Sequence, residues 1–150
     1  MPAEIVTENL LEFLLKASSP EEYLSREGSV VERKLSDYLF ALLSERGMTR
    51  AQVVRASALN ASFVYDIFAG KSLPGRDNAI MLAFGLSCSL VETQRLLRLA
   101  GVAELWPKVR RDAIIIWCVN RKMTRGECDD ELYRLGEKTL LPGGVNRVSD

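Results

Sequence analysis

The chain has 150 residues, 47% of them hydrophobic, which suits one domain, or one domain with a helical arm, and suffices to bury a core. Lys+Arg and Asp+Glu both number 20, so the formal net charge is zero, and any basic face for nucleic acid has to be concealed within a neutral total. Histidine is absent, and Cys88, Cys118 and Cys128 show no C-x-x-C spacing, so no metal-ligand set is legible. The thiols are expected to be small buried hydrophobes in a reducing compartment.

The opening residues carry no basic-then-apolar leader, and the longest apolar run, Ala113 to Val119, is far too short for a bilayer. A cytoplasmic protein without membrane association is expected.

Nearly every segment repeats at helical period, and none alternates at period two between turn signals. Seven to eight helices and essentially no strand are expected. Ile5, Val6, Leu10, Leu11, Phe13, Leu14 and Leu15 give a first helix a wide apolar face. Ser19-Pro20-Glu21-Glu22 starts a short second one, with Ser19 as N-cap and Glu22 closing a capping box, and Gly28 stops it.

The next helix is read over Val30 to Arg46, with Val31, Leu35, Tyr38, Leu39, Leu42 and Leu43 as its stripe and Gly47 as its C-cap. Thr49 caps a helix to about Ala56, and Asn60 caps another that stops at Gly70. Helices over Asp77 to Leu86, Leu90 to Ala100, Lys108 to Arg121 and Thr124 to Leu135 complete the series. The fold class is all-α: an arm (1–29), a five-helix domain (30–105), a C-terminal helix pair (106–141) packed on the domain or in a dimer interface, and a flexible tail (142–150).

Two short helices joined by a tight turn, with a longer helix before and two after, form a helix-turn-helix layout. Its first helix opens with Met48-Thr49-Arg50-Ala51-Gln52-Val53-Val54, and its turn is Ala58-Leu59-Asn60. The second helix and its exit run from Ser62 to Lys71, followed by Pro74, Arg76-Asp77 and Leu82-Ala83-Phe84-Gly85-Leu86. Val53, Leu59, Val64 and Ile67 read as the clamp between the two helices, and Ala56 and Ala58 as small residues at a close approach. Over roughly Val31 to Gly101 the chain resembles the XRE family of phage-repressor-like regulators.

The resemblance implies sequence-specific binding of double-stranded DNA by a homodimer, with no cofactor and no catalysis. It also implies that Ala61, Ser62, Tyr65 and Asp66 face the bases of the major groove. Thr49, Arg50, Lys71 and Arg76 surround that helix as phosphate-facing candidates. Asp66 departs from the family pattern, because a carboxylate repels phosphate and accepts only from cytosine N4 or adenine N6. No Arg or Lys lies between Ala61 and Gly70, so the commonest base contact has no donor on this helix.

The residues therefore leave a second reading open, a protein-interaction module (adaptor or antirepressor) that captures a partner through Phe63, Tyr65 and Phe68. An enzyme is not expected, since no nucleophile–base pair or glycine-rich phosphate loop is legible.

Glu45-Arg46-Gly47-Met48-Thr49-Arg50-Ala51 aligns without gaps with Asn120-Arg121-Lys122-Met123-Thr124-Arg125-Gly126, at an offset of 75 residues. The C-terminal piece reads either as a half-copy lacking a third helix or as convergence on good capping chemistry.

Overall fold

The computed structural model describes residues 7–26 and 34–142. Ile5, Val6, Gly28, Val31 and the tail from residue 143 lie outside the described residues. Among those described there are nine helices and no strand; the number exceeds the seven to eight expected, while the nine helices fall one by one on the segments read from the sequence, the two of the arm included. None is long and apolar enough to cross a membrane. The chain divides into two compact units, residues 1–33 and 34–150.

The first unit holds α1 (Thr7–Lys16) and α2 (Pro20–Leu24). Ser19 is extended and its hydroxyl accepts from the Glu22 N–H at 3.2 Å, as an N-cap should. The expected capping box does not close on Ser19. The Glu22 carboxylate instead accepts from the backbone N–H and hydroxyl of Ser18, at 2.9 and 2.6 Å. Leu11, Phe13, Leu14 and Leu15 are exposed, and the Arg26 guanidinium lies 3.8 Å from the Phe13 ring centroid.

The second unit holds α3 (Leu35–Arg46), α4 (Arg50–Ser57), α5 (Ala61–Phe68), α6 (Arg76–Gly85), α7 (Leu90–Leu99), α8 (Arg110–Asn120) and α9 (Arg125–Arg134). Helix α3 is described from Leu35, which is buried, with Lys34 extended as its N-cap; the expected start at Val30 lies outside the described residues. Helix α6 is the centre of the unit. Every residue from Ala79 to Gly85 is buried, and α4, α7 and α9 pack around it.

Close packing of α4 on α6 is made possible by Gly85, whereas Ala56 and Ala58, expected as the small residues at a close approach of α4 and α5, do not serve as such. A Cβ at Gly85 would sit 2.9 Å from the Ser57 Cβ and 3.1 Å from the Val53 carbonyl oxygen. Ala56 and Ala58 are exposed, and Ala58 adopts a left-handed φ of 66° that ends α4 and turns the chain.

Helices α8 and α9 belong to the same packed unit, and the apolar run of α8 is not a separate layer. Ile115, Cys118 and Val119 enter the core with Cys128 and Leu132 of α9. Two reciprocal ion pairs tie the first turns of α6 and α8. Arg76 donates to both Asp112 oxygens at 2.9 and 2.7 Å, and Arg111 to both Asp77 oxygens at 2.9 and 3.0 Å. The buried Asp129 carboxylate accepts from the Leu140 and Leu141 N–H groups at 2.6 and 3.1 Å and from Arg125 at 2.6 Å, which pins the segment after α9.

The sequence echo is repeated in the backbone. Gly47 and Lys122 both take left-handed φ, 60° and 59°. The N–H of Met48 bonds Leu43 O, and that of Met123 bonds Cys118 O, both at 3.1 Å. Thr49–Gln52 and Thr124–Glu127 are both closed capping boxes. After α9 no further helix follows among the described residues.

All three cysteines are free and buried. Burial, with the charge of Glu92 nearby, pushes the Cys88 thiol up to about 12. The native protein is therefore expected to resist aromatic disulfide reagents at about pH 8, and all thiols to react once denaturant is added. Stoichiometric titration of even one thiol in the folded chain would contradict this packing.

Candidate nucleic-acid interface

Helices α4 and α5 are short and both carry strong N-caps. Thr49 accepts from Gln52 N–H while Gln52 returns a bond to Thr49 N–H, at 3.2 and 2.8 Å. Asn60 Oδ1 accepts from the N–H groups of Ser62 and Phe63, at 2.9 and 3.3 Å. Between them Ala58 turns left-handed, and Val53, Val64 and Ile67 are fully buried as the clamp, with Leu59 half-buried. The inward face of α5 thus consists of Val64, Ile67 and Phe68. Its outward face carries Ala61, Ser62, Tyr65, Asp66 and, just past the helix, Ala69, all exposed at helical spacing.

The four residues expected to face bases therefore share one solvent-facing stripe. Arg50 on α4 reaches this stripe, with its guanidinium 4.9 Å from the Tyr65 ring centroid. Thr49 is exposed, and its oxygen is engaged in the cap as an acceptor, so the hydroxyl proton remains available to an anion. Lys71 is exposed just past α5. Its backbone N–H bonds Asp66 O at 2.8 Å, a closure that passes through Gly70 at φ 79°.

Two sequence candidates are corrected. Arg76 is not phosphate-facing: besides its bonds to Asp112, its Nε donates to Ala103 O and its Nη2 to Glu104 O, both at 2.9 Å. Its hydrogen bond to Asp112 also raises its pKa, holding it charged as a structural staple. Phe68 is not a protein-contact residue. It is 1% exposed, and its ring meets Phe40 edge-on with centroids 5.1 Å apart. Phe63 is half-buried against the core, which leaves Tyr65 as the one well-exposed aromatic of the three.

Sequence reasoning missed Arg55, which is exposed in the last turn of α4. It also missed the partition of charge between the units. Residues 1–33 hold 3 Lys/Arg and 7 Asp/Glu, whereas residues 34–150 hold 17 and 13, so the neutral total splits into −4 and +4. Within the second unit Asp77, Glu92, Glu104, Asp112, Asp129, Glu131 and Glu137 are engaged by arginines. Arg50, Arg55 and Lys71 have no carboxylate within ion-pair distance among the described residues. A count over the expected arm, residues 1–29, with 2 Lys/Arg and 6 Asp/Glu, gives the same −4, so this partition was available from the sequence.

Comparison with protein-family models, curated proteins and solved structures gave no match to this chain.

Proposed function

We propose that the chain is a sequence-specific DNA-binding regulator in which α4 and α5 form a repressor-like helix-turn-helix, with α5 entering the major groove, and which works as a homodimer. The reading is carried by one observation: the polar outward stripe of α5 is held clear of the core beside Arg50 and Lys71, whose charges have no carboxylate partner among the described residues. The neutral total ceases to count against it, because the unit that carries α5 is itself basic, at +4. Tyr65 supports the Arg50 guanidinium from below, so the cation missing from α5 is supplied from α4.

The test is DNA affinity of single variants at two salt concentrations, each variant first shown to melt like the parent. Arg50→Ala is expected to weaken binding to every sequence and to flatten the salt dependence by about one unit. Ser62→Ala is expected to reduce discrimination between operator and random DNA. Asp66→Asn removes a charge that opposes phosphate, so non-specific binding should tighten while any cytosine preference relaxes. A folded parent that binds no DNA at low salt would overturn the proposal.

A further inference from the structure

Helix α8 turns Asp112, Ile115, Cys118 and Val119 into the core of the second unit. Its opposite face carries Val109 just before the helix, then Ala113 and Trp117, with Trp106 preceding it. This face is apolar and open to solvent: Trp106 is 57% exposed, Val109 42% and Trp117 45%. One exposed tryptophan on the helix face, Trp117, and a second in the segment before the helix, Trp106, give the aromatic content of an interface centre. The exposed charges from residue 106 to 122 are Lys108, Arg110, Arg121 and Lys122, all basic, and the Arg121 guanidinium lies 4.3 Å from the Trp117 ring centroid.

Such a face selects its occupant by charge. A second α8 face would bring arginine against arginine, which disfavours symmetric pairing. The fitting partner is an acidic helix with an exposed apolar stripe, and this chain contains one. Helix α1 exposes Leu11, Leu14 and Leu15, at the one-turn spacing of a docking helix, and Glu12 lies between them. The unit that bears α1 is −4, so two arms repel each other as two α8 faces do.

We propose that the outer face of α8 binds helix α1 of a second copy of this chain, giving a dimer held by reciprocal exchange of acidic arms. Leucines of one copy cover Trp117 and Val109 of the other, and the acidic arm neutralises Arg121, since Arg110 is already paired with Glu137 at 2.7 Å. The inference is independent of DNA binding and holds if that proposal fails.

Analytical ultracentrifugation of the full chain tests it with two variants at exposed positions, Trp117→Glu and the double variant Leu11→Glu/Leu14→Glu, each shown by circular dichroism to keep the parent's helicity. The parent is expected to sediment as a dimer that weakens as salt rises, and each variant alone as a monomer. An equimolar mixture should recover a dimer, because one variant supplies an intact arm and the other an intact α8 face. The mixture is followed to about a hundredfold above the parent's midpoint, since only one of two contacts is restored. Any of three results would overturn the proposal: a monomeric parent, a dimer indifferent to both variants, or a mixture that stays monomeric. Arg121→Glu serves as a second probe, and a dimer unaffected by it and by salt would remove the electrostatic basis.

Discussion

Replacing Asp112 with alanine is expected to lower the unfolding free energy by about 3–5 kcal/mol, the range for removing one partner of a buried ion pair. Asp112 is 3% exposed and takes three hydrogen bonds, two from Arg76 and one at 3.0 Å from the Trp106 N–H. Its loss leaves an arginine without its counter-charge between α6 and α8, and leaves the Trp106 N–H without its acceptor. The cost should appear as a fall in Tm on the order of 10 °C.

The same residue sets an acid limit. Burial by itself would raise the Asp112 carboxyl. The Arg76 hydrogen bonds, the Trp106 N–H and the charges of Arg76 and Arg111 outweigh burial and hold it below its ordinary value. A carboxyl depressed in the folded state contributes fully above its unfolded value, about pH 4, and the contribution is lost as pH falls through the folded value. Stability of the parent should therefore drop below about pH 4 more steeply than that of Asp112→Asn, and the two curves should converge in acid. Parallel urea-unfolding curves at every pH would refute this assignment. The Arg76–Asp112 and Arg111–Asp77 pairs adjoin, so their substitutions should be non-additive in a double-mutant cycle.

Gly85→Ala is expected to destabilise the fold by about 1–3 kcal/mol through overpacking. The sign is informative, because alanine in an exposed helix interior would stabilise by about 1 kcal/mol relative to glycine. Here the new methyl group meets the Ser57 N and the Val53 O at 3.2 and 3.1 Å, and these backbone atoms of α4 can yield only by moving the helix. Because α4 carries Arg50 and holds α5 through Val53, such a shift should also disturb the stripe on α5. The expected result is a lower melting temperature in a chain that is still folded at 25 °C, and, on the proposed DNA-binding function, weaker DNA affinity as well. A Gly85→Ala chain more stable than the parent would show that α4 and α6 pack less closely than they do here.

Local chemistry made much of α5 legible from residues alone. Asn60, Thr49, Gly47 and Gly70 act through neighbours within a few positions, so capping and turn geometry follow from sequence wherever the chain goes. The apolar spacing of Val64 and Ile67 likewise dictates that Ala61, Ser62, Tyr65 and Asp66 point away from the core. Arg76 could not be placed this way. Its partners lie at Ala103, Glu104 and Asp112, and one exposed-looking Arg-Asp dipeptide reads the same whether it meets solvent, phosphate or another Arg-Asp.

Phe68 shows the same limit within a single helix. As the last residue of α5, it has an orientation relative to the core that depends on where α3 places Phe40. Sequence by itself determined the all-helical class, the N-caps Thr49 and Asn60, the helix-ending glycines Gly47 and Gly70 and the outward stripe of α5, because each is set by interactions within about one helical turn, whereas the left-handed turns at Ala58 and Lys122 are not legible in it. Only the tertiary structure decided which arginines are engaged in ion pairs, why Gly85 must lack a side chain, and that α8 and α9 join the core, the first of the two places the sequence left open for them. Those outcomes depend on residues some 28 to 36 positions apart meeting at close range, as Gly85 meets Ser57 and Arg76 meets Asp112, and no local pattern encodes such an encounter.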